Sequence, residues 1–141
     1  NKNSHWHNTS IMCYFLIITI YFSDSDFPGF VYPANYLTFF ERARSDFLAI
    51  NKISQKTLII NNLAFVLKKF NLNYVSAAEL GDDLIIKTSV EKKSDARMIF
   101  SQKIINSSNK NFVDGTIEIC LINLITKKPQ KFPDDLLLIF E

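Results

Sequence analysis

The spacing of apolar residues changes period along the chain, and each change marks an element. Ile11 to Phe22, IMCYFLIITIYF, is a nearly continuous apolar run. It is too short to cross a bilayer, which takes about 20 residues. Its β-branched and aromatic side chains predict a buried strand. Only Lys2 supplies positive charge ahead of it, and Ser23-Asp24-Ser25-Asp26 follows in place of a small-residue cleavage pattern, so it does not read as a secretory leader. Pro28 and Gly29 then break the chain. From near Asn35 the period becomes helical. Tyr36, Phe39, Phe40, Ala43, Phe47 and Ile50 fall on one face, with Thr38, Glu41, Arg42 and Ser45 on the other.

Beyond the helix, Asn51 to Asn62 reads as a connection that ends in a short helical turn, and Leu63 to Tyr74 as a strand. Gly81-Asp82-Asp83 is a turn. Leu84, Ile86, Thr88 and Val90 then alternate with Ile85, Lys87, Ser89 and Glu91, which predicts a strand with one face buried. Lys93-Ser94-Asp95 links it to a strand over Ala96–Asn106, with Met98, Phe100 and Ile104 among its apolar positions. A second link, Ser107 to Asn111, leads to a long strand over Phe112–Ile125. Gly115 interrupts that strand and predicts a bulge or a close approach of backbone. Lys127-Lys128-Pro129 ends it, and Pro133-Asp134-Asp135 starts a terminal helix over Leu136–Phe140. One strand, a long helix and a run of four strands make an α+β pattern with antiparallel pairing.

A length of 141 residues fits one domain. Residues 1–10, NKNSHWHNTS, are polar and read as a frayed segment ahead of a single domain over 11–141. A hydrophobic fraction of 48% excludes a disordered chain. Thirteen Phe against one Trp point to a Phe-rich core or subunit interface. With a net charge of +2 and no block of like charge, nothing suggests nucleic-acid binding. Cys13 and Cys120 are far apart and read as free thiols in a reducing compartment, hence a cytoplasmic protein. The two histidines, His5 and His7, both lie in the terminal segment, which argues against a histidine triad and against a metal site. No G-x-S-x-G, phosphate-binding glycine loop or zinc-spaced Cys/His cluster is present, and no cofactor is expected.

One arrangement carries chemistry. Asp26 sits on a polar turn shortly before the start of the long helix, where unpaired N–H groups and a partial positive charge gather. Taken alone, Asp24 and Asp26 also suit a turn in which their side chains bond nearby backbone. The surrounding stretch, D-S-D-F-P-G-F-V-Y-P-A-N-Y-L-T-F-F-E-R-A-R, resembles the signature of hotdog-fold acyl-CoA thioesterases, nearest to the YbgC / 4-hydroxybenzoyl-CoA thioesterase family. The match runs through Asp24, Asp26, Gly29, Val31, Tyr32, Asn35, Tyr36, Phe39, Glu41, Ala43 and Arg44, and the likeness covers roughly residues 15 to 135.

The resemblance implies a hotdog fold: a curved antiparallel five-stranded sheet wrapped around one long central helix. It implies hydrolysis of acyl-CoA to free acid and CoA, with Asp26 as nucleophile or general base. Tyr32, Pro33, Ala34 and Asn35 at the helix start would bind substrate, and backbone N–H groups there would polarise the thioester carbonyl. Lys92, Lys93 and Arg97 resemble in position the residues that hold the CoA nucleotide; as ordinary hairpin charges they would be solvated. Lys127, Lys128 and Lys131 are weaker candidates. Implied partners are a second copy of the chain, as homodimer or homotetramer, and acyl carrier protein or components of the Tol–Pal cell-envelope system. The chain departs from the pattern at Pro33, where the YbgC branch carries His and where proline offers no N–H. Either Ala34 or Asn35 takes over, or turnover is weak. That departure favours a second reading, a degenerate hotdog domain that binds acyl-CoA or a protein partner without turnover.

Overall fold

The computed structural model describes residues 13–19, 33–78 and 81–140. The frayed-segment expectation for residues 1–10, the turn from Ser23 to Gly29 and the end of the first strand at Tyr21-Phe22 all lie outside them. The elements are β1 (Cys13–Thr19), α1 (Pro33–Ile50), α2 (Gln55–Ile60), β2 (Leu63–Tyr74), β3 (Asp83–Lys92), β4 (Arg97–Ile105), β5 (Asn111–Asn123) and α3 (Asp134–Leu137). A 3-10 turn over Leu138–Phe140 follows. The strands pair antiparallel in the order β1-β3-β4-β5-β2, so β1 and β2 are the edges. The α+β class and the antiparallel pairing are as the sequence pattern predicts.

α1 begins at Pro33, two residues earlier than the apolar period suggests. Proline suits a first helical position because the N–H it lacks would have no partner there. The helix ends in a left-handed residue, Lys52 (φ 64°). Around it the Ile53 N–H reaches Leu48 O at 2.8 Å and the Lys52 N–H reaches Ala49 O at 3.0 Å, which satisfies the final carbonyls. Tyr36, Phe39, Phe40, Ala43 and Phe47 are buried as predicted. Ile50 is a correction: it is 60% exposed, and Leu48 is buried instead. The closing turn takes the chain off the sheet at that point, so the last residue of the stripe has nothing to pack against.

Two clusters form the core along the axis of α1. Its first half packs against Ala78, Leu84, Ile86, Ile104 and Phe112. Its second half, through Phe47 and Leu48, meets Val90, Met98, Phe100, Ile117 and Leu121 together with Phe132, Leu136 and Ile139 from the C-terminal segment. α1 therefore runs from the Leu84 end of β3 toward the hairpin that joins β3 to β4. Gly115 shows the close approach expected of it. A Cβ there would lie 2.7 Å from the Asn71 carbonyl oxygen and 2.5 Å from Leu72 Cδ2. The last strand stops at Asn123, short of the expected Ile125, because Asn123 Oδ1 accepts the N–H groups of Ile125 (2.8 Å) and Thr126 (3.1 Å) and turns the chain. A shift in the β2–β5 register between Leu67 and Lys69 marks a bulge in the edge strand.

Candidate active site

The start of α1 is the feature on which the sequence places the chemistry. Pro33, Ala34 and Asn35 form its first turn. No acidic residue lies in that turn, so the positive end of the helix is not neutralised from within it. Asp26 and Tyr32 lie outside the described residues. Tyr36 anchors this end of the helix: the Ala78 N–H donates to its hydroxyl at 2.9 Å in a buried setting. Burial pushes the Tyr36 phenol well above its ordinary range, so it stays protonated. Its ring also meets Tyr74 edge-on, with centroids 5.3 Å apart.

Midway along α1 a buried polar network ties helix to sheet. Gln102 is 2% exposed and Thr88 is fully buried. Gln102 Nε2 donates to the Phe40 carbonyl at 2.9 Å and to Thr88 Oγ1 at 3.1 Å. Arg44 Nη1 donates to Gln102 Oε1 at 2.9 Å. Desolvation holds the Arg44 guanidinium below its usual pKa, though an arginine keeps its charge. No sequence motif marks Gln102. Its signal was a polar residue on the buried face of β4, between Phe100 and Ile104.

Arg44 also lines a crevice of about 190 Å³ on the side of α1 that faces β2. The crevice walls are Leu48, Phe65, Leu67, Met98, Phe100 and Ile119, with Glu41, Ser45 and Gln55 completing it. A larger cleft of about 440 Å³ includes Asn71, Lys87, Ser89, Ser101, Lys103 and Thr116, and no aliphatic or aromatic side chain lines it. Of these two, the smaller crevice is the one with apolar walls.

The three hairpin cations are already engaged. Lys92 pairs with Asp95 at 3.4 Å in the open. Lys93 and Arg97 converge on Glu118, at 2.6 Å and 3.1 Å. The hydrogen bond from Lys93, assisted by Arg97, holds the Glu118 carboxyl below the usual carboxylate range. This hairpin lies at the far end of β3 from Leu84, about 30 Å along the strand. Within one protomer it therefore stands away from the start of α1. Among the described residues no three His, Cys, Asp or Glu side chains cluster as metal ligands, and no helix is long and apolar enough to cross a membrane.

A family model for the thioesterase-like superfamily matches residues 20–140. The chain belongs to that superfamily. It is 30% identical to the acyl-CoA thioester hydrolase YbgC of Escherichia coli, over 88% of this chain and 92% of the relative. It is 34% identical to the acyl-CoA thioesterase YbgC of Haemophilus influenzae, over 84% of this chain and 87% of that one. A 1,4-dihydroxy-2-naphthoyl-CoA thioesterase from Synechocystis superposes with a TM-score of 0.86 at 19% identity, covering 91% of this chain and 95% of the other. At that identity the likeness speaks for the fold. The thioesterase fold that the motif around Asp26 implied is the fold of this chain.

Proposed function

We propose that this thioesterase hydrolyses acyl-CoA to free acid and CoA, with Asp26 as the catalytic carboxylate and the N-terminus of α1 as the oxyanion site. The observation that carries the reading is the likeness to YbgC acyl-CoA thioesterases over most of both chains. In this reading residues 11–141 are one cytoplasmic hotdog domain whose sheet wraps α1. The thioester carbonyl lies at the first turn of α1, where Tyr32, Pro33, Ala34 and Asn35 surround it and free N–H groups stabilise the developing oxyanion. Asp26 attacks the carbonyl or draws a proton from water. The direct test is thiol release from a panel of purified acyl-CoAs. No release from any member would overturn it in favour of the degenerate binding domain.

The same reading takes the working unit to be at least a dimer. β2 is a twelve-residue edge strand with Leu67, Phe70 and Tyr74 about half exposed. A long edge of this kind invites pairing with a second strand. Two-fold antiparallel pairing of β2 with its copy reverses the direction of the second sheet. That brings the hairpin end of the second subunit level with the start of α1 in the first. Lys92, Lys93 and Arg97 of the second subunit then reach the CoA phosphates, which they cannot do for their own helix start. Light scattering at micromolar concentration should give a dimer or tetramer. A monomer would remove both the interface and the shared site. Acyl carrier protein and Tol–Pal components stay as partners on the YbgC likeness alone.

Pro33 sets a further expectation. The first helical residue of this site has no N–H to offer. Pro33→Ala restores that donor, and Pro33→His adds the imidazole usual in the YbgC branch. Both should turn over acyl-CoA faster than the parent, by about tenfold or more, since one well-placed oxyanion donor can be worth about a hundredfold to a thousandfold in rate. Either change should cost up to about 1 kcal/mol of stability, because proline restricts the unfolded chain. Steady-state rates well below the melting temperature decide it. If neither variant is faster, the N–H group of Ala34 or Asn35 already fills the role.

A further inference from the structure

Arg44 is a charged side chain that α1 places partly in the interior. It is half-buried and lines the apolar crevice beside Leu48, Phe65, Leu67, Met98 and Phe100. A guanidinium carries five N–H donors, yet the acceptor found for it is Gln102 Oε1. Among the described residues its side chain forms no ion pair. Glu41, one turn earlier and also on the crevice, is exposed and favours the charged guanidinium through its field without forming an ion pair with it. A cation against apolar walls, with a carboxylate near it but none bonded to it, keeps N–H donors available to an anionic ligand.

The amide that holds Arg44 is itself fixed. Gln102 bonds the Phe40 carbonyl and Thr88 Oγ1, which orients Oε1 toward the guanidinium. A leucine at that position would continue the buried face of β4. The polar choice serves to place the guanidinium. The rise of an α-helix puts Arg44 about 15 Å from Ala34 along α1. The crevice, about 190 Å³, has room for about six water-sized groups. That is the end of an acyl chain and not the whole of it.

We propose that Arg44 selects long acyl groups bearing a carboxylate at the end distant from the thioester, and that Gln102 is the positioning residue that presents its guanidinium. The proposal rests on the hydrolase reading, which sets the carbonyl at the start of α1, and adds to it that the acyl chain follows the helix toward the crevice. The apolar walls take the last methylenes. Arg44 meets the terminal carboxylate with paired N–H donors, a geometry that lysine does not offer.

The test uses CoA thioethers that cannot be hydrolysed, S-alkyl-CoA and S-(ω-carboxyalkyl)-CoA of matched length, with binding measured by titration calorimetry. The wild-type protein should bind the long carboxyalkyl form about tenfold or more tightly than the alkyl form. The preference should vanish for chains too short to span the helix. Arg44→Met should invert the order. Exchanging a buried ion for an apolar side chain is often neutral or stabilising, and a melting curve checks that the variant is folded. Gln102→Glu gives Arg44 a carboxylate of its own and should abolish the preference, an outcome that a merely structural Gln102 would not produce. Equal binding of the two thioethers by the wild type, or a ratio unmoved in Arg44→Met, overturns the proposal. Thiol release is measured in parallel with the matching thioesters. Selective binding without cleavage would overturn the hydrolase reading and leave the selectivity standing. Cleavage without selectivity would do the reverse, and binding of neither thioether overturns the selectivity outright.

Discussion

Asp26→Asn should give a folded, assembled protein that no longer releases thiol from acyl-CoA. The side chains are nearly the same size, so packing and turn geometry stay close to the parent. What is lost is the carboxylate. A carboxamide is neither a useful base toward water nor a useful nucleophile toward a thioester. Loss of a positioned acid–base group alone typically costs about a hundredfold to ten-thousandfold in rate, and a lost nucleophile removes the pathway that runs through it. Asp24→Asn is the matched control. It stands two residues earlier in the same polar stretch and should have the smaller effect. If both variants lose activity equally, the assignment to Asp26 is not special. If purified Asp26→Asn retains turnover with its oligomeric state unchanged, another group does the chemistry.

Much of the fold was legible because it rests on short-range periodicity. The buried face of α1 could be read from Tyr36 to Phe47, since side chains one turn apart share a face whatever the partner. The alternation in β3 was legible down to Thr88, the one polar residue on its inner side. Gly115 announced the close approach of β2 that the structure contains. The choice of Asp26 as candidate carboxylate rests on motif spacing and not on physics, because an aspartate in a polar stretch looks the same whether or not it reacts. The pairs that bridge distant parts of the chain were not legible. Gln102 meets the Phe40 carbonyl across 62 positions, and Glu118 draws in Lys93 and Arg97 from across the β4–β5 register. Such pairs depend on strand register and helix placement, which no local pattern encodes. That is why the hairpin cations looked free in the sequence and are paired in the fold.

Phe100→Ala should be the most damaging of the core truncations around α1, at about 3–5 kcal/mol. Phe100 is 1% exposed. Its ring meets Phe47 edge-on, with centroids 5.8 Å apart and planes at 89°. An aromatic pair in that geometry adds about 0.5–1.5 kcal/mol beyond area burial, and here it joins the second half of α1 to the middle of the sheet. Neighbouring β strands fix the backbone of β4 on both sides, so the void left by the ring cannot easily collapse. Urea unfolding should show a lower midpoint with little change in slope, at equal protomer concentration because assembly contributes to stability. Ile125→Ala, at a site 72% exposed, should stay within about 0.5 kcal/mol. A loss below about 1 kcal/mol at Phe100 would contradict the packing described for the second core cluster. Phe100 also walls the crevice that holds Arg44. The stability lost in this variant should therefore come with a wider crevice, and with weaker discrimination among acyl chains by the protein that remains folded.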